Sequence, residues 1–412
     1  MTPADAGETS AVRKSFRCNV ILLRVVGPWP NTPVERLQDF LPRFCPWPQC
    51  SQHRCSKPGY RFFRHGYYKT NRRPRVPRFR CRSCRRVFSR QSFATSYYLK
   101  RPELLVPVAA GLVAGSAHRQ LARSLGCAPS TVTRLGARLG RHALLLQTLA
   151  LEELAGRLAE GIAADHFETF EFTQDLPFGV LTLVGRDSWF VFGLDPAPHT
   201  RAGKRTAHQE ARRRARPSRP PRGGYYGSFH RGLNLLLPLA PEGKPVSVAC
   251  DGKTQYLDAV RRHPATQRLT LEVHPNPVRG PKGSPRSPAA LARDHALHAV
   301  DQLHALLHHT RADHKRETIA FGRRLNAIME RLFLATVWRN FVKGRSERRP
   351  DPTTPAMRLG LTDEPWTWRR VLSRRLFPRR ARMPRLWRDL YQRDWTTPVL
   401  DTNTRHRRRH AA

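Results

Sequence analysis

The chain has 412 residues, 39% of them hydrophobic, which is enough for about two or three domains with a sizeable core. Because 74 Lys and Arg residues oppose 31 Asp and Glu residues, the net charge of +43 predicts a polyanionic partner, above all nucleic acid. The apolar stretch at residues 18–29 is short and contains Arg24, so we expect neither a membrane span nor a signal peptide. The cysteines are therefore interpreted in a reducing compartment, where clustered thiols favour metal binding.

Composition divides the chain into segments of different character. The first 40 residues predict a poorly ordered leader, and the end of the chain predicts a basic, irregular tail. The intervening segments are a Cys-, Arg- and aromatic-rich segment, a Leu/Ala-rich helical segment and an α/β segment that contains an arginine-dense loop and a Pro/Gly/Ser linker. In chain order the boundaries are 1–40, 41–95, 100–150, 160–345 with the loop at 196–230 and the linker at 276–289, and 346–412.

Cysteine spacing in the second segment predicts a zinc ribbon. One Cys-x4-Cys pair and one Cys-x2-Cys pair are separated by about thirty residues, which suits two short hairpins that meet at one tetrahedral ion. The predicted ligands are Cys45, Cys50, Cys81 and Cys84. His53 and Cys55 are alternatives to Cys50, and free or buried cysteines without metal are the competing interpretation.

The helical segment has the pattern of a helix-turn-helix. Leu121, Ala122 and Leu125 form one apolar face, Gly126 ends that helix, and Ser130 is a candidate N-cap of the next. In this arrangement the second helix presents polar and basic residues to the major groove or to its phosphates. The predicted DNA-contacting residues are Thr131, Thr133, Arg134 and Arg138. An ordinary helical hairpin is the alternative.

Three carboxylates stand out because acids are scarce in this chain. Asp165 lies in a β-prone alternation that places it on one face with Phe167, Asp251 ends an apolar strand, and Asp301 lies on a helix with an apolar stripe. Converging carboxylate oxygens suit Mg²⁺ or Mn²⁺. A pair of such ions supports in-line displacement at phosphorus. Asp251 followed by Gly252 is also an ordinary turn signal.

This order of elements resembles the bacterial insertion-sequence transposases of the zinc-ribbon branch. Their catalytic domain is ribonuclease-H-like and carries a DDE or DDD triad. The most specific stretch spans residues 301–333, and the matching positions are Asp301, His304, Lys315, Arg316, Thr318, Ile319 and Phe321. The family's third acid is usually Glu, whereas the best-placed residue in this chain is Asp301. Glu168 and Glu317 are therefore kept as alternative ligands.

The resemblance implies a multidomain protein with a zinc ribbon, an all-α helix-turn-helix and a ribonuclease-H-like catalytic domain built on a mixed sheet. It further implies structural Zn²⁺ and a pair of catalytic Mg²⁺ or Mn²⁺ ions held by Asp165, Asp251 and Asp301. The expected partner is double-stranded DNA, both element ends and target, bound by a homo-oligomer in the bacterial cytoplasm at the nucleoid. The alternatives are a sequence-specific DNA-binding protein without catalysis, and a zinc-ribbon nuclease or RNA-binding factor.

The arginine-rich run at residues 201–224 contains a single acid, Glu210. Such a run is typical of a solvated segment. It is equally compatible with an arm that neutralises DNA phosphates and becomes ordered on DNA.

Overall fold

The computed structural model describes residues 40–395 except 55–59, 71–72, 201–204, 216–223, 279, 282, 315–318 and 349. The predicted leader, apart from Phe40, and the last part of the predicted tail lie outside the described residues. None of the helices formed by these residues combines the length and the apolar character that crossing a membrane requires.

The cysteine-rich segment forms a small antiparallel sheet of three strands in the order β1-β2-β3. Aromatic residues on and beside these strands pack with the cysteines in a core of their own, which includes Tyr60, Phe79 and Phe88. The strands are β1 (Phe62–Thr70), β2 (Arg73–Cys81) and β3 (Val87–Ser89). The two cysteine pairs lie at one end of this sheet, because Cys81 is the last residue of β2 and Cys84 follows in the turn to β3.

The second sheet is mixed and has five strands in the order β6-β5-β4-β7-β8. Strands β4, β5 and β6 form an antiparallel meander, and β7 and β8 are added parallel to β4. The bounds are β4 (Ile162–Phe170), β5 (Pro177–Gly185), β6 (Val191–Pro198), β7 (Val246–Cys250) and β8 (Leu269–Val273). The protein is therefore a mixed α/β structure.

Helices precede the sheet, cover it and continue after it. In chain order they are α1 (Leu105–Val113), α2 (His118–Ser124), α3 (Pro129–Glu153), α4 (Ala207–Arg214), α5 (Gly224–Leu236), α6 (Thr254–Arg261), α7 (Pro288–Thr310), α8 (Leu325–Val337), α9 (Pro355–Arg358), α10 (Trp368–Val371) and α11 (Arg385–Gln392). Helix α5 packs on β5 and β6, and also on α6. Helix α7 packs on β4, β5 and β7. Alternate residues of β4 contact these two groups of helices, so the groups cover opposite faces of the sheet.

The prediction of a loop at 196–230 is wrong for the described residues of this segment, which are largely helical. Helix α4 forms inside it, and α5 begins within its last residues. In α5 the buried residues Phe229, Leu233 and Leu236 recur at helical spacing, so burial of this apolar stripe against the sheet favours a helix where composition alone suggested a loop.

The helix-turn-helix segment shares its core with the sheet. One continuous apolar cluster runs from Leu104 to Tyr391. Most of α3 is buried, and it packs along α8 so closely that a Cβ at Gly140 would lie 2.3 Å from the Glu330 carbonyl oxygen. The buried guanidinium of Arg141 pairs with Glu330 at 3.3 Å. The 25-residue α3 therefore extends well beyond a DNA-reading helix and is part of the scaffold.

The tail also differs from the prediction of irregular structure. Its described part forms the short helices α9, α10 and α11, and α11 buries Trp387 and Tyr391 on one face, with the Trp387 ring 4.9 Å from that of Phe333. Other tail residues contact the cysteine-rich ribbon and so connect it to the helices and the five-stranded sheet. The Phe377 ring contacts the rings of Phe44 and Phe93. The described part of the tail is therefore held by its apolar residues, which are buried against α8 and against the cysteine-rich segment.

Candidate functional site

The four predicted cysteines converge into one cluster. The sulfur atoms of Cys45 and Cys84 are 3.7 Å apart, those of Cys50 and Cys81 are 3.8 Å apart, and all four lie within 4.8 Å of one another. Zinc–sulfur bonds of about 2.3 Å in a tetrahedron place sulfur atoms about 3.8 Å apart. A disulfide would require about 2.05 Å. The cluster could therefore hold a metal ion such as zinc.

The alternative ligand His53 points away from the sulfur atoms. Its Nδ1 donates to the Cys45 carbonyl oxygen at 2.8 Å, and its ring contacts Phe44 and Phe377. Burial lowers the pKa of His53 to about 4, so the ring is neutral at neutral pH. His53 thus stabilises the backbone of the first cysteine pair through this hydrogen bond. The other alternative ligand, Cys55, lies outside the described residues.

The strand register brings the first two acids side by side. In the parallel pair β4 and β7, Ala163 lies opposite Ala249. Asp165 follows Ala163 by two residues, and Asp251 follows Ala249 by two residues, directly after the end of β7. Asp165 Oδ1 accepts the backbone N–H of His166 at 2.7 Å, and its other oxygen lies 3.9 Å from His304 Nδ1. Burial, and then the negative charge of Asp251, raises the pKa of Asp165 to about 6. Two carboxylates therefore crowd one edge of the sheet.

Asp251 is both a turn residue and a neighbour of Asp165. Its Oδ1 accepts the backbone N–H of Lys253 at 3.2 Å, and Gly252 has φ +85°, a conformation that favours glycine. Its Oδ2 accepts a hydrogen bond from Asn276 Nδ2 at 3.4 Å. The turn interpretation and the ligand interpretation are thus compatible, since only part of the carboxylate is used by the turn.

Asp301 reaches the same edge from α7. Its negative charge also raises the pKa of Asp165, after the larger effects of burial and Asp251. Both of its oxygens accept hydrogen bonds from the Arg293 guanidinium, and Arg293 Nε donates to Asn276 Oδ1 at 3.1 Å. In the part of the chain that the structure describes, the cysteine cluster is the only group of three or more metal-donor side chains with ligand atoms within 4.8 Å of one another. The three acids are thus neighbours in a looser arrangement.

His304 and Phe167 complete the acidic face of β4. His304 Nε2 lies 2.8 Å from Thr182 Oγ1, and its ring contacts the Phe167 ring. Burial, with the nearby charges of His308 and Arg293, lowers the pKa of His304 to about 3. A neutral imidazole therefore stands beside Asp165 at neutral pH.

The alternative acid Glu168 lies on the other face. Its Oε1 accepts the Tyr225 hydroxyl at 2.6 Å, and its Oε2 is 3.5 Å from His199 Nε2. The same face carries His166, whose Nδ1 is 2.6 Å from the Tyr256 hydroxyl. Strand alternation separates Glu168 from Asp165, as the sequence predicted. The remaining alternative, Glu317, belongs to residues 315–318 and lies outside the described residues.

Among the predicted DNA contacts, the structure separates exposed from inward-facing side chains. Arg134 and Thr133 are exposed, and Thr131 is half-buried. Thr133 Oγ1 donates to the Pro129 carbonyl oxygen at 3.0 Å, so this hydroxyl is partly used within the helix. Helix α3 begins at Pro129 after Ala128, so the predicted N-cap Ser130 is wrong and lies within the first turn.

Arg138 is directed into the protein. Its guanidinium donates to the Tyr97 carbonyl oxygen at 2.7 Å, and burial lowers its pKa to about 10. It therefore links α3 to the segment after the ribbon. Of the two arginines among the predicted DNA contacts, Arg134 is the exposed one.

Sequence reasoning missed Asn276 and Arg293. Asn276 was part of a segment interpreted as a linker, and Arg293 precedes Asp301 by eight residues, which is beyond the usual spacing of helical ion pairs. No single-sequence signal identifies the contact with Asn276, because it depends on how α7 approaches the segment after β7, whereas the pair of Arg293 with Asp301 is formed within α7 itself.

No known protein-family model matches the chain, and no curated protein is significantly similar to it. The resemblance to transposases therefore rests on the motifs and on the arrangement of the acids.

Proposed function

We propose that this chain is a DNA transposase that binds terminal inverted repeats and catalyses metal-dependent 3′-end cleavage and strand transfer. The observation that carries the proposal is the convergence of Asp165 and Asp251 on adjacent parallel strands, with Asp301 beside them on α7. The resemblance requires acids on two strands and a later helix, in that order. The proposed catalytic unit is a ribonuclease-H-like domain over residues 160–345.

The donor set suits hard divalent cations. The three side chains offer oxygen atoms only. The pKa of Asp165 is raised first by burial and then by the negative charge of Asp251, and bound cations would offset both effects. When bound, Mg²⁺ or Mn²⁺ ions would activate the attacking hydroxyl or water and stabilise the leaving oxygen. Asp165, Asp251 and Asp301 would hold them. The neutral His304 beside Asp165 adds no positive charge that would compete with the metals.

The rest of the chain supplies DNA binding in this proposal. A net charge of +43 favours phosphate contacts, and the exposed Arg134 near the start of α3 offers one basic contact. The ribbon, with Zn²⁺ held by its four cysteines, exposes arginines next to aromatic rings. The Arg75 and Arg82 guanidinium carbons lie 3.9 and 4.4 Å from the ring centroids of Tyr67 and Phe63. The active form is proposed to be a homo-oligomer on double-stranded DNA at the bacterial nucleoid.

The test compares Asp251→Asn with a matched control, Asp258→Asn, a half-buried residue of α6 that pairs with the exposed Arg261. Purified protein is incubated with Mg²⁺ or Mn²⁺ and labelled DNA from both flanks of its own coding region. We expect 3′-end cleavage and joining by wild type and by Asp258→Asn, and neither reaction by Asp251→Asn, with zinc content and DNA binding retained. Full activity of Asp251→Asn would return this residue to a purely structural turn.

The alternative is a sequence-specific DNA-binding protein without catalysis. The ion pair between Arg293 and Asp301 favours it, because a neutralised third acid needs no metal. Specific DNA binding without any metal-dependent cleavage in the same assay would support this alternative.

A further inference from the structure

The acidic edge already contains a cation of the protein's own. The Arg293 guanidinium is only 15% exposed and donates to both oxygens of Asp301, while its Nε donates to Asn276. Asn276 in turn donates to Asp251. One arginine therefore connects two of the three carboxylates, directly and through an amide.

The electrostatic surroundings hold this arginine in its charged form. Although burial opposes it, the pKa of Arg293 is raised, because Asp301 accepts its hydrogen bonds and because Asp301, Asp165 and Asp294 all carry negative charge near it. Lys253 is the other cation at this edge, and its Nζ rests 4.2 Å from the ring centroid of Tyr225 rather than on a carboxylate. Among the cations that the structure describes here, Arg293 is thus the one that uses the oxygens of a proposed metal ligand.

We propose that Arg293 is a resident counter-ion of the acidic site, which a divalent cation must displace from Asp301 before all three carboxylates can bind metal. The inference rests on the proposed function, since it takes the acids to be metal ligands. Both cations need the same oxygen lone pairs, so they cannot be bound by Asp301 in full at once. A hard divalent ion has the higher charge, and it wins this exchange when Asp165 and Asp251 contribute their oxygens as well.

Two properties follow from the exchange. Metal affinity is lower than three carboxylates alone would provide, because part of the binding free energy is used to break the ion pair. Binding of the metal also releases the guanidinium at the edge where a DNA phosphate would lie. Metal loading and phosphate binding are then linked through one side chain.

The experiment measures Mn²⁺ binding by the zinc-loaded full-length protein, with free Mn²⁺ followed by electron paramagnetic resonance. The variants are Arg293→Gln, Arg293→Lys and the matched control Arg286→Gln. This control removes the same charge from a neighbouring arginine that shares Asp294 with Arg293 and pairs with none of the three proposed metal ligands in the described contacts. Arg293→Gln should tighten the Kd for Mn²⁺ by about fivefold to tenfold, the size of a partly buried ion pair. Arg286→Gln should change it by less than about twofold.

Equal Kd values for Arg293→Gln and Arg286→Gln would overturn the inference, and so would weaker Mn²⁺ binding by Arg293→Gln. In Arg293→Gln combined with Asp301→Asn the gain should disappear, because the contested oxygen is removed. Thermal unfolding of each variant identifies one that fails to fold, and Arg293→Lys, which keeps the charge, should then fall between wild type and Arg293→Gln. If wild type binds no Mn²⁺ that Asp165→Asn removes, the proposed metal site itself is wrong.

Discussion

Asp165→Asn should stabilise the metal-free protein at neutral and alkaline pH while abolishing the proposed metal site. In the folded chain the pKa of Asp165 is raised from 3.8 to about 6, first by burial and then by Asp251. The folded state thus binds this proton more tightly than the unfolded state, and ionisation of Asp165 costs stability progressively as pH rises from about 4 to about 6. Above that range the cost is complete.

The magnitude follows from the size of the shift. About two pKa units at about 1.4 kcal/mol each set an upper value of about 3 kcal/mol. The Asp165 side chain is 20% exposed, and water screens part of the repulsion. We therefore expect Asp165→Asn to gain about 1–3 kcal/mol at pH 8 and close to nothing at pH 4. The backbone N–H of His166 keeps an acceptor, because an amide oxygen replaces the carboxylate oxygen.

The assay is urea unfolding followed by tryptophan fluorescence at pH 4, 6 and 8. Divalent ions are removed with a resin rather than a strong chelator, so that zinc stays in the ribbon. Asp258→Asn is the control and should change stability little at any pH, since its partner Arg261 lies on the exposed surface. Added Mn²⁺ should stabilise wild type and leave Asp165→Asn unchanged. A pH-independent effect of Asp165→Asn, or destabilisation at pH 8, would refute the argument from crowded charge.

Three further predictions concern the cysteine cluster, the two arginines of α3 and the attachment of the ribbon. Cys45→Ser combined with Cys81→Ser should remove the zinc and unfold the ribbon, as measured by metal analysis and hydrogen exchange; retained zinc would contradict the four-cysteine site. Arg134→Ala should weaken DNA binding and reduce its salt dependence, whereas Arg138→Ala should lower thermal stability and leave the salt dependence of DNA binding intact. Fluorescence anisotropy of labelled DNA, measured against salt concentration, separates the two variants. The reverse pattern would exchange the roles of the two residues. Phe377→Ala should weaken the packing of the ribbon on the rest of the protein by about 3–5 kcal/mol, which should appear as faster proteolysis of residues 40–95. The control is Phe172→Ala, which changes an exposed ring. Equal rates of proteolysis in the two variants would mean that the Phe377 ring does not hold the ribbon.

The cysteine cluster and the strand acids were within reach of the sequence because their signals are local. Two close cysteine pairs limit the geometry of any shared ion. The alternation along β4 decides that Asp165 and Phe167 share a face whatever the surroundings are. Asp251 follows directly on a short apolar strand. Each of these patterns is expressed over a few neighbouring residues, where covalent geometry sets the side-chain direction.

The contacts that modify those sites were decided by tertiary structure. Arg138 turns inward because Tyr97 offers a carbonyl oxygen 41 residues away along the chain. Arg293, on α7, reaches Asn276 because this helix crosses the sheet beside the segment after β7. In the described part of the tail, the buried Phe377 packs against Phe93, far from it in sequence. Such contacts depend on how distant segments pack, and a residue's own neighbours in sequence carry no record of which distant atoms it will meet. The sequence by itself therefore determined which side chains are available as donors, the four cysteines and the three acids of the proposed site, and only the tertiary structure decided which of them already have a partner.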